Sequence, residues 1–212
     1  MTMSQDRDSS PAAQDTPDEG QAPRPLWLRR AIIRGILAAP GGIAAFYAGL
    51  GPTAAAERLA SIPAPAREKA MRRAMSVARG NPAYPFGAVI TRIADGHVMA
   101  EGVNASKHNP MHHGEVAAME NYLHRHGNRD WAEMVLYTTA EPCAMCMSAL
   151  VWAGIGGVVF GTSLAGLKRA GIDQIDIPAA TIVAASPFWH GEVLGGVLES
   201  ETDRLFAAGH RG

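Results

Sequence analysis

The chain has 212 residues and a formal net charge of −1, from 19 basic and 20 acidic side chains. This length allows one ordinary domain with an extension and excludes two full hydrophobic cores. Apolar residues make up 47% and charged residues 18% of the chain, which is the composition of a globular protein. Because a protein built to bind a nucleic-acid backbone carries a basic excess, we expect no dedicated nucleic-acid binding.

The first 26 residues are rich in Ser, Asp, Gln, Pro and Gly, with almost no large aliphatic side chains. Such a segment cannot bury enough apolar surface to offset the entropy of ordering, so we predict a disordered lead. The composition then changes abruptly, and we place the folded domain at residues 57–212 and the leading segment at residues 1–56.

An arginine pair, Arg29 and Arg30, precedes a weakly apolar run rich in Gly and Ala that ends near Ala54-Ala55-Ala56. This stretch resembles a twin-arginine export signal with a small-residue cleavage site. The resemblance implies the twin-arginine export machinery as a partner and a periplasmic location in a bacterium. An amphipathic helix packed on the domain, or an uncleaved anchor, is the alternative, as is a cytoplasmic location.

Hydrophobic periodicity beyond residue 57 predicts helices and strands in alternation. A turn at Asp95-Gly96 joins the first two strands into a hairpin. The resulting order of helix, strand, strand, helix, strand, helix, strand predicts an α/β fold of three layers, with a central mixed sheet flanked by helices. The predicted helices are 64–80, 113–124, 143–153, 164–170 and 198–208, the strands are 86–91, 97–102, 134–138 and 157–161, and 175–188 is expected to be irregular or extended.

A histidine and a closely spaced cysteine pair carry the main chemical signal. His113 begins one predicted helix, and Cys143 and Cys146 begin the next. Imidazole and thiolate are ligands that zinc prefers, and three protein ligands leave a fourth tetrahedral position for water. Since structural zinc sites are usually closed by four protein ligands, we predict one catalytic Zn²⁺ per chain.

Glu115 follows His113 by two residues in the same first turn. From there its carboxylate can reach the open position without binding the metal. A carboxylate so placed can take a proton from the attacking water and return protons to the reacting ring and the leaving amine. We therefore assign Glu115 as the catalytic acid-base residue.

Other interpretations of these residues are weaker. A thioredoxin-type redox function of the cysteine pair is disfavoured because Glu141-Pro142 precedes it and no aromatic residue or glycine flanks it in the redox manner. His108 and His112 are alternative ligands by their nearness in sequence, but we expect them in the pocket wall or at the surface. We also expect a homodimer, with Trp152 either beneath the zinc-site helix or in the subunit interface.

The segments His113-Gly114-Glu115 and 142–146 together resemble the H-x-E and P-C-x-x-C signature of the cytidine and deoxycytidylate deaminase superfamily. Matches at residues 85–89, 101–104 and 139–143 are similar to guanine deaminases and bacterial tRNA adenosine deaminases. The resemblance covers roughly residues 65–170. It implies a cytidine-deaminase-like fold, a zinc cofactor and hydrolytic release of ammonia from a nucleobase.

The resemblance also implies how the substrate is held. Asn104 stands where purine deaminases hydrogen-bond the ring, the Gly114 amide meets the atom beside the reacting carbon, and Phe86 forms a wall beneath the base. A turn role is the alternative for Asn104, because Asn favours turns for its own reasons. Gly114 replaces the alanine usual in the family, and we expect catalysis to survive the loss of one methyl group.

From Ile172 to Trp189 the tail is acidic or apolar, and it lacks the Lys and Arg cluster expected of an RNA-binding tail. One of three acids in it could accept hydrogen bonds from a guanine edge, although each also suits a solvated surface. Those acids are Asp173, Asp176 and Glu192, and the same tail holds Trp189 and His190, to which we assign no role.

We therefore predict a zinc hydrolase that deaminates a small-molecule purine base or nucleoside, with a guanine-like substrate preferred. A tRNA adenosine deaminase is the alternative enzyme. A non-catalytic, zinc-stabilised binding protein is the alternative of another class, and the presence of Glu115 argues against it, since a scaffold needs the ligands but not the base.

Overall fold

The computed structural model describes residues 58–209, with side chains as far as residue 207. The predicted disordered lead, the arginine pair and the domain boundary at residue 57 lie outside the described residues. Within them, no helix has the length and apolar character needed to span a membrane.

Five strands form one mixed sheet in the spatial order β2-β1-β3-β4-β5. Strand β1 is antiparallel to both β2 and β3, whereas β3, β4 and β5 run parallel to one another. The strands are β1 Gly87–Arg92, β2 Val98–Val103, β3 Met134–Ala140, β4 Gly157–Thr162 and β5 Glu192–Leu194. The turn between β1 and β2 contains Gly96 at φ 68°, as the Asp-Gly hairpin signal predicts.

Helices cover both faces of the sheet, which confirms the predicted three-layer α/β fold. Alternate residues of β3 point to opposite faces. Val135 and Tyr137 pack in a core with Met71 of the first helix, whereas Leu136 packs with Met147 on the other face. The helices are α1 Ala64–Ala78, α2 Gly114–His126, α3 Ala144–Ala153, α4 Leu164–Arg169, α5 Ala179–Ala184 and α6 Glu199–Gly209, with a short 3₁₀ turn at Trp131–Glu133.

The stretch predicted to be irregular or extended, 175–188, contains helix α5, so that prediction is wrong for residues 179–184. Pro178 provides the N-cap of this helix, and six residues are fewer than two turns. Thr181, Ile182 and Val183 are β-branched and favour extended structure, which hides this helix in the sequence. Strand β5, at the sheet edge, was not predicted because three residues are too few to show an alternating pattern.

Helix α2 lies very close to β2, and a glycine makes this possible. A Cβ atom on Gly102 would lie 2.2 Å from the backbone nitrogen of Ala118. The side chain of any other residue would therefore push α2 away from the sheet. This close packing fixes the start of α2, and with it His113, relative to the strands.

Candidate active site

His113 and Cys143 are both N-cap residues, of α2 and α3 respectively. Each has extended, non-helical backbone angles, and Cys146 lies in the first turn of α3. The Nδ1 atom of His113 and the two Sγ atoms all lie within 4.8 Å of one another. The fold therefore brings together the three residues predicted as metal ligands.

The distances fit a zinc ion. Bond lengths of about 2.0–2.1 Å to nitrogen and 2.3 Å to sulfur require ligand atoms roughly 3.6 Å apart in a tetrahedral site. The observed separation between His113 Nδ1 and Cys143 Sγ is 3.6 Å. Both cysteines are buried, so water does not compete for their sulfur atoms. The zinc-binding prediction is confirmed in its donor set and spacing.

The other two histidines near this site do not join it. His112 Nε2 lies 3.2 Å from Glu120 Oε2, and His108 is exposed in the preceding loop. Both lie apart from the ligand group, as expected.

Hydrogen bonds within the ligand group favour a thiolate. Bonds from Cys146 and His113 lower the pKa of Cys143 to about 4, with the bond from Cys146 the larger cause. The hydrogen bond to Cys143 is the main cause that raises the pKa of Cys146, which keeps the shared proton, and the hydrogen bond to Cys143 also raises the pKa of His113. The helix N-terminus at Cys143 also favours negative charge. The negative charge on Cys143 favours binding of a cation by these three residues.

Glu115 lies in the first turn of α2 and is 3% exposed. The hydroxyl of Thr138, on β3, donates a hydrogen bond of 3.0 Å to its Oε1. Burial is the main cause that raises the pKa of this carboxyl above its usual range. The role of Thr138 could not be predicted from the sequence. A threonine within a buried strand is ordinary in β-structure, and its partner Glu115 is distant in sequence.

Gly114 has a role that the sequence did not reveal. A Cβ atom at this position would lie 2.7 Å from the carbonyl oxygen of Phe86. A Cβ atom and a carbonyl oxygen do not approach this closely, so an alanine would force the start of α2 away from the segment just before β1. The absent methyl group is thus a packing requirement of this chain.

A cavity of about 390 Å³ opens beside His113. It contains two of the predicted substrate contacts, Phe86 and Asn104, together with residues from the loop after α4. The full lining is Tyr84, Phe86, Asn104, Ser106, His113, Gly171, Ile172, Asp173 and Gln174.

Of the three tail acids considered for substrate binding, only Asp173 lines this cavity. Asp176 forms an ion pair with Lys168, with 2.6 Å between Oδ1 and Nζ. Glu192, in β5, accepts a hydrogen bond from the backbone nitrogen of Arg58. Of the three acids, Asp173 is therefore the one that can face a substrate in this cavity, whereas Asp176 and Glu192 interact with other residues.

The remaining tail residues divide between core and surface. Trp189 is buried, and its indole nitrogen donates to the carbonyl of Ile155. His190 is exposed. Trp152 is 79% exposed, so it does not pack beneath the zinc-site helix, which was one of its two expected places.

Asn104 serves the local turn and also lines the cavity. Its Oδ1 accepts a hydrogen bond from Ser106 N at 3.2 Å, which is the expected Asx turn. Its backbone nitrogen donates to the carbonyl oxygen of Phe86 at 2.9 Å. The two interpretations of this residue are therefore compatible.

The Phe86 ring is supported from behind by the last helix. Its centroid lies 5.0 Å from that of Phe206, a fully buried residue of α6. Phe206 also packs in one cluster with Ile172, which lines the cavity. The final helix thus holds two parts of the cavity wall.

Comparison with known proteins agrees with this architecture. Residues 65–162 match the model of the cytidine and deoxycytidylate deaminase zinc-binding region. The chain is 36% identical over 103 residues to a guanine deaminase of Bacillus subtilis, covering 45% of this chain and 65% of that protein. It is 35% identical over 96 residues to a probable cytosine deaminase of Schizosaccharomyces pombe, covering 44% and 58%. The chain thus spans less than two thirds of the length of either relative.

A solved structure shares the fold. The guanine deaminase from Nitrosomonas europaea superposes with a TM-score of 0.59 at 23% identity, over 66% of this chain and 81% of that one. The superposition covers a larger share of this chain than the family match at residues 65–162.

Proposed function

We propose that the chain, which carries the zinc-binding region of the cytidine and deoxycytidylate deaminase superfamily at residues 65–162, is a zinc-dependent hydrolase that removes the exocyclic amine of a purine base or nucleoside. The observation that carries this proposal is a buried carboxylate, Glu115, two residues from His113 and beside a set of three metal ligands. A purely structural zinc site needs no such carboxylate, since it is closed by a fourth ligand.

Zinc held by His113, Cys143 and Cys146 would supply a water that is nucleophilic at neutral pH. Glu115 accepts a proton from the water that attacks the ring carbon and delivers it to the adjacent ring nitrogen. It then moves the remaining hydroxyl proton to the departing nitrogen, so that ammonia leaves and a carbonyl forms. Thr138 holds one carboxylate oxygen of Glu115 throughout.

The cavity lining supports a purine with hydrogen-bond donors on its reacting edge. An ionised carboxylate only accepts hydrogen bonds, so Asp173 would select N–H groups such as the ring N–H and amine of guanine. Asn104 offers an amide that can both donate and accept. Phe86, supported by Phe206, provides a flat apolar wall for the ring. A guanine-like substrate is therefore our preferred one.

A homodimer is supported by an exposed apolar face on α3. This helix contains no charged residue, and Met145, Ala149 and Trp152 follow one another at helical spacing on its outer face. The Trp152 ring lies 5.2 Å from that of Phe188, which is itself 54% exposed. A helix that is apolar on all sides is normally buried, so a second copy is the partner we propose.

The dimer can be tested by light scattering coupled to size-exclusion chromatography. Trp152→Glu should shift the protein to the mass of a monomer, whereas Leu123→Glu, at another exposed apolar position, should not. A wild-type protein that is monomeric at every concentration would contradict the proposal.

From the sequence alone, we propose periplasmic export through Arg29 and Arg30. A route that carries folded domains delivers the two cysteines with zinc already bound, which protects the thiolates from oxidation. Replacing both arginines with lysine should leave the enzyme active but retained in the cytoplasm on fractionation. Unaltered protein found wholly in the cytoplasm with residues 1–56 attached would contradict export.

The activity is tested by ammonia release from guanine, guanosine, adenine, adenosine, cytosine and cytidine. We expect turnover of a purine, with guanine or guanosine preferred, and loss of about 10²- to 10⁴-fold in Glu115→Gln at unchanged zinc content. Turnover of a tRNA anticodon arm alone, with affinity that falls steeply with salt, would instead indicate a tRNA adenosine deaminase. Zinc binding without any turnover would indicate a binding protein.

A further inference from the structure

Glu141 joins the end of β3 to the zinc-site helix, and its carboxylate makes two hydrogen bonds to distant backbone. Oε2 accepts from the backbone nitrogen of Leu164, the first residue of α4, at 2.8 Å. Oε1 accepts from the backbone nitrogen of Ala179, the first residue of α5, also at 2.8 Å. One side chain thus holds the starts of two helices.

The segment between these two helix starts contains four residues that line the cavity, 171–174. From 171 to 178 only Ile172 is buried, while Asp173 and Ile175 are exposed. The ion pair between Lys168 and Asp176 crosses this segment, but both side chains are exposed and such pairs stabilise little. The position of this wall therefore depends on the packing of Ile172 and on the anchored ends.

The anchor is also tied to the metal site through the chain itself. Glu141 precedes Cys143 by two residues, and its backbone nitrogen donates to the carbonyl of Thr162 on β4 at 2.8 Å. The residue is therefore fixed to the sheet on one side and to the ligand-bearing helix on the other. A displacement of its carboxylate would move the wall without moving the ligands.

We propose that Glu141 is a positioning residue that sets the wall at 171–174 relative to the metal site and so controls substrate affinity. The effect on substrate affinity rests on the proposed function, whereas the anchoring of the wall by Glu141 does not. Hydrogen bonds to an ionised carboxylate are stronger than neutral ones, and a carboxylate can accept on both oxygens. An amide in its place accepts on one oxygen and turns its NH₂ group toward the other backbone donor.

The test uses Glu141→Gln in the zinc-loaded, full-length protein. We expect faster hydrogen exchange of the backbone amides in residues 164–179, with one zinc retained per chain. With the compound that the wild type turns over fastest, KM should rise about tenfold while kcat stays within about threefold, because the loss falls on binding. The matched control is Glu199→Gln, since Glu199 accepts from Ser163 N beside the start of α4 but does not reach α5. It should keep the wild-type KM.

Ala179→Pro provides a second variant in case Glu141→Gln does not fold. Proline is tolerated at the first helical position and removes the donor to Oε1, although its ring also adds volume at a position that is 1% exposed. The preceding residue, Pro178, already has the extended angles that a following proline requires, with φ −58° and ψ 148°. This variant should reproduce the rise in KM.

The inference is overturned if both variants, or the one that folds, keep wild-type exchange in 171–174 and wild-type KM. It is also overturned if zinc and kcat are lost together with KM unchanged, since Glu141 would then support the metal site and not the wall. A wild type that deaminates none of the screened compounds would defeat the proposed function, and the exchange comparison would still decide the anchoring.

Discussion

Thr138 Oγ1 donates a hydrogen bond of 3.0 Å to Glu115 Oε1 in the interior of the domain, where Thr138 is fully buried and Glu115 is 3% exposed. The strand that supplies this hydroxyl thus orients the carboxylate at the start of α2. One oxygen of the carboxylate is therefore held by the strand.

Thr138→Val removes this hydroxyl at nearly constant volume. A buried hydrogen bond to a charged group contributes about 1.5–3 kcal/mol, so we expect kcat to fall roughly tenfold or more with zinc content unchanged. Thr138→Ser keeps the hydroxyl and should retain most of the activity. Steady-state kinetics on both variants decides the matter, and a wild-type kcat in the valine variant would refute the orienting role.

Cys143→Ala should reduce bound zinc from about one per chain to well below that value, because a site with three protein ligands cannot lose one and hold the metal tightly. His112→Ala is the control, since His112 is adjacent to a ligand but pairs with Glu120. Elemental analysis of the two purified variants is the measurement. Undiminished zinc in the cysteine variant would overturn the ligand assignment.

Gly114→Ala places a methyl group 2.7 Å from the Phe86 carbonyl oxygen if nothing moves. Overpacking of this kind costs about 1–3 kcal/mol, so we expect a lower free energy of unfolding by denaturant titration. The movement of β1 should also weaken substrate binding, because Phe86 lies in the cavity wall. An alanine variant as stable as the wild type would mean that the backbone relaxes freely here.

Tyr137 gives a pH dependence that can be measured without a substrate. Burial raises its pKa from the ordinary 10 to about 12. The folded state therefore favours the neutral phenol, so its contribution to stability is complete below pH 10 and is lost as the pH rises from 10 to 12. Relative to Tyr137→Phe, the wild type should lose about 2–3 kcal/mol of unfolding free energy across that interval. A constant difference between the two proteins would show that the hydroxyl reaches solvent.

The metal ligands could be predicted from the sequence because the donor types and their spacing are visible there. His113 and Cys143 are helix N-caps, and Cys146 follows Cys143 by three residues, so the motif identifies the donors before the fold brings them together. Most strands and helices were also predicted, since their apolar periods extend over six residues or more. The prediction of α5 failed because Thr181, Ile182 and Val183 are β-branched and favour extended structure by propensity.

The cavity could not be predicted in the same way, because its parts are distant in sequence. The sequence alone does not distinguish Asp173 from Asp176 and Glu192 as a substrate contact. The structure does, because Asp176 pairs with Lys168 and Glu192 accepts a hydrogen bond from Arg58. Thr138 and Phe206 act through partners that only the folded sheet brings near. Alternation within a strand shows that a residue is buried, but it does not show what that residue touches.

The contact between Phe86 and Phe206 has a consequence for the order in which the protein is made. The ribosome synthesises the three metal ligands before α6, so the nascent chain contains every ligand while the ring of Phe86 still lacks its support. A nascent chain arrested after β4 would accordingly contain every metal ligand and an unfinished cavity wall. The residues that hold the ion and those that complete the wall are therefore made at different moments of synthesis.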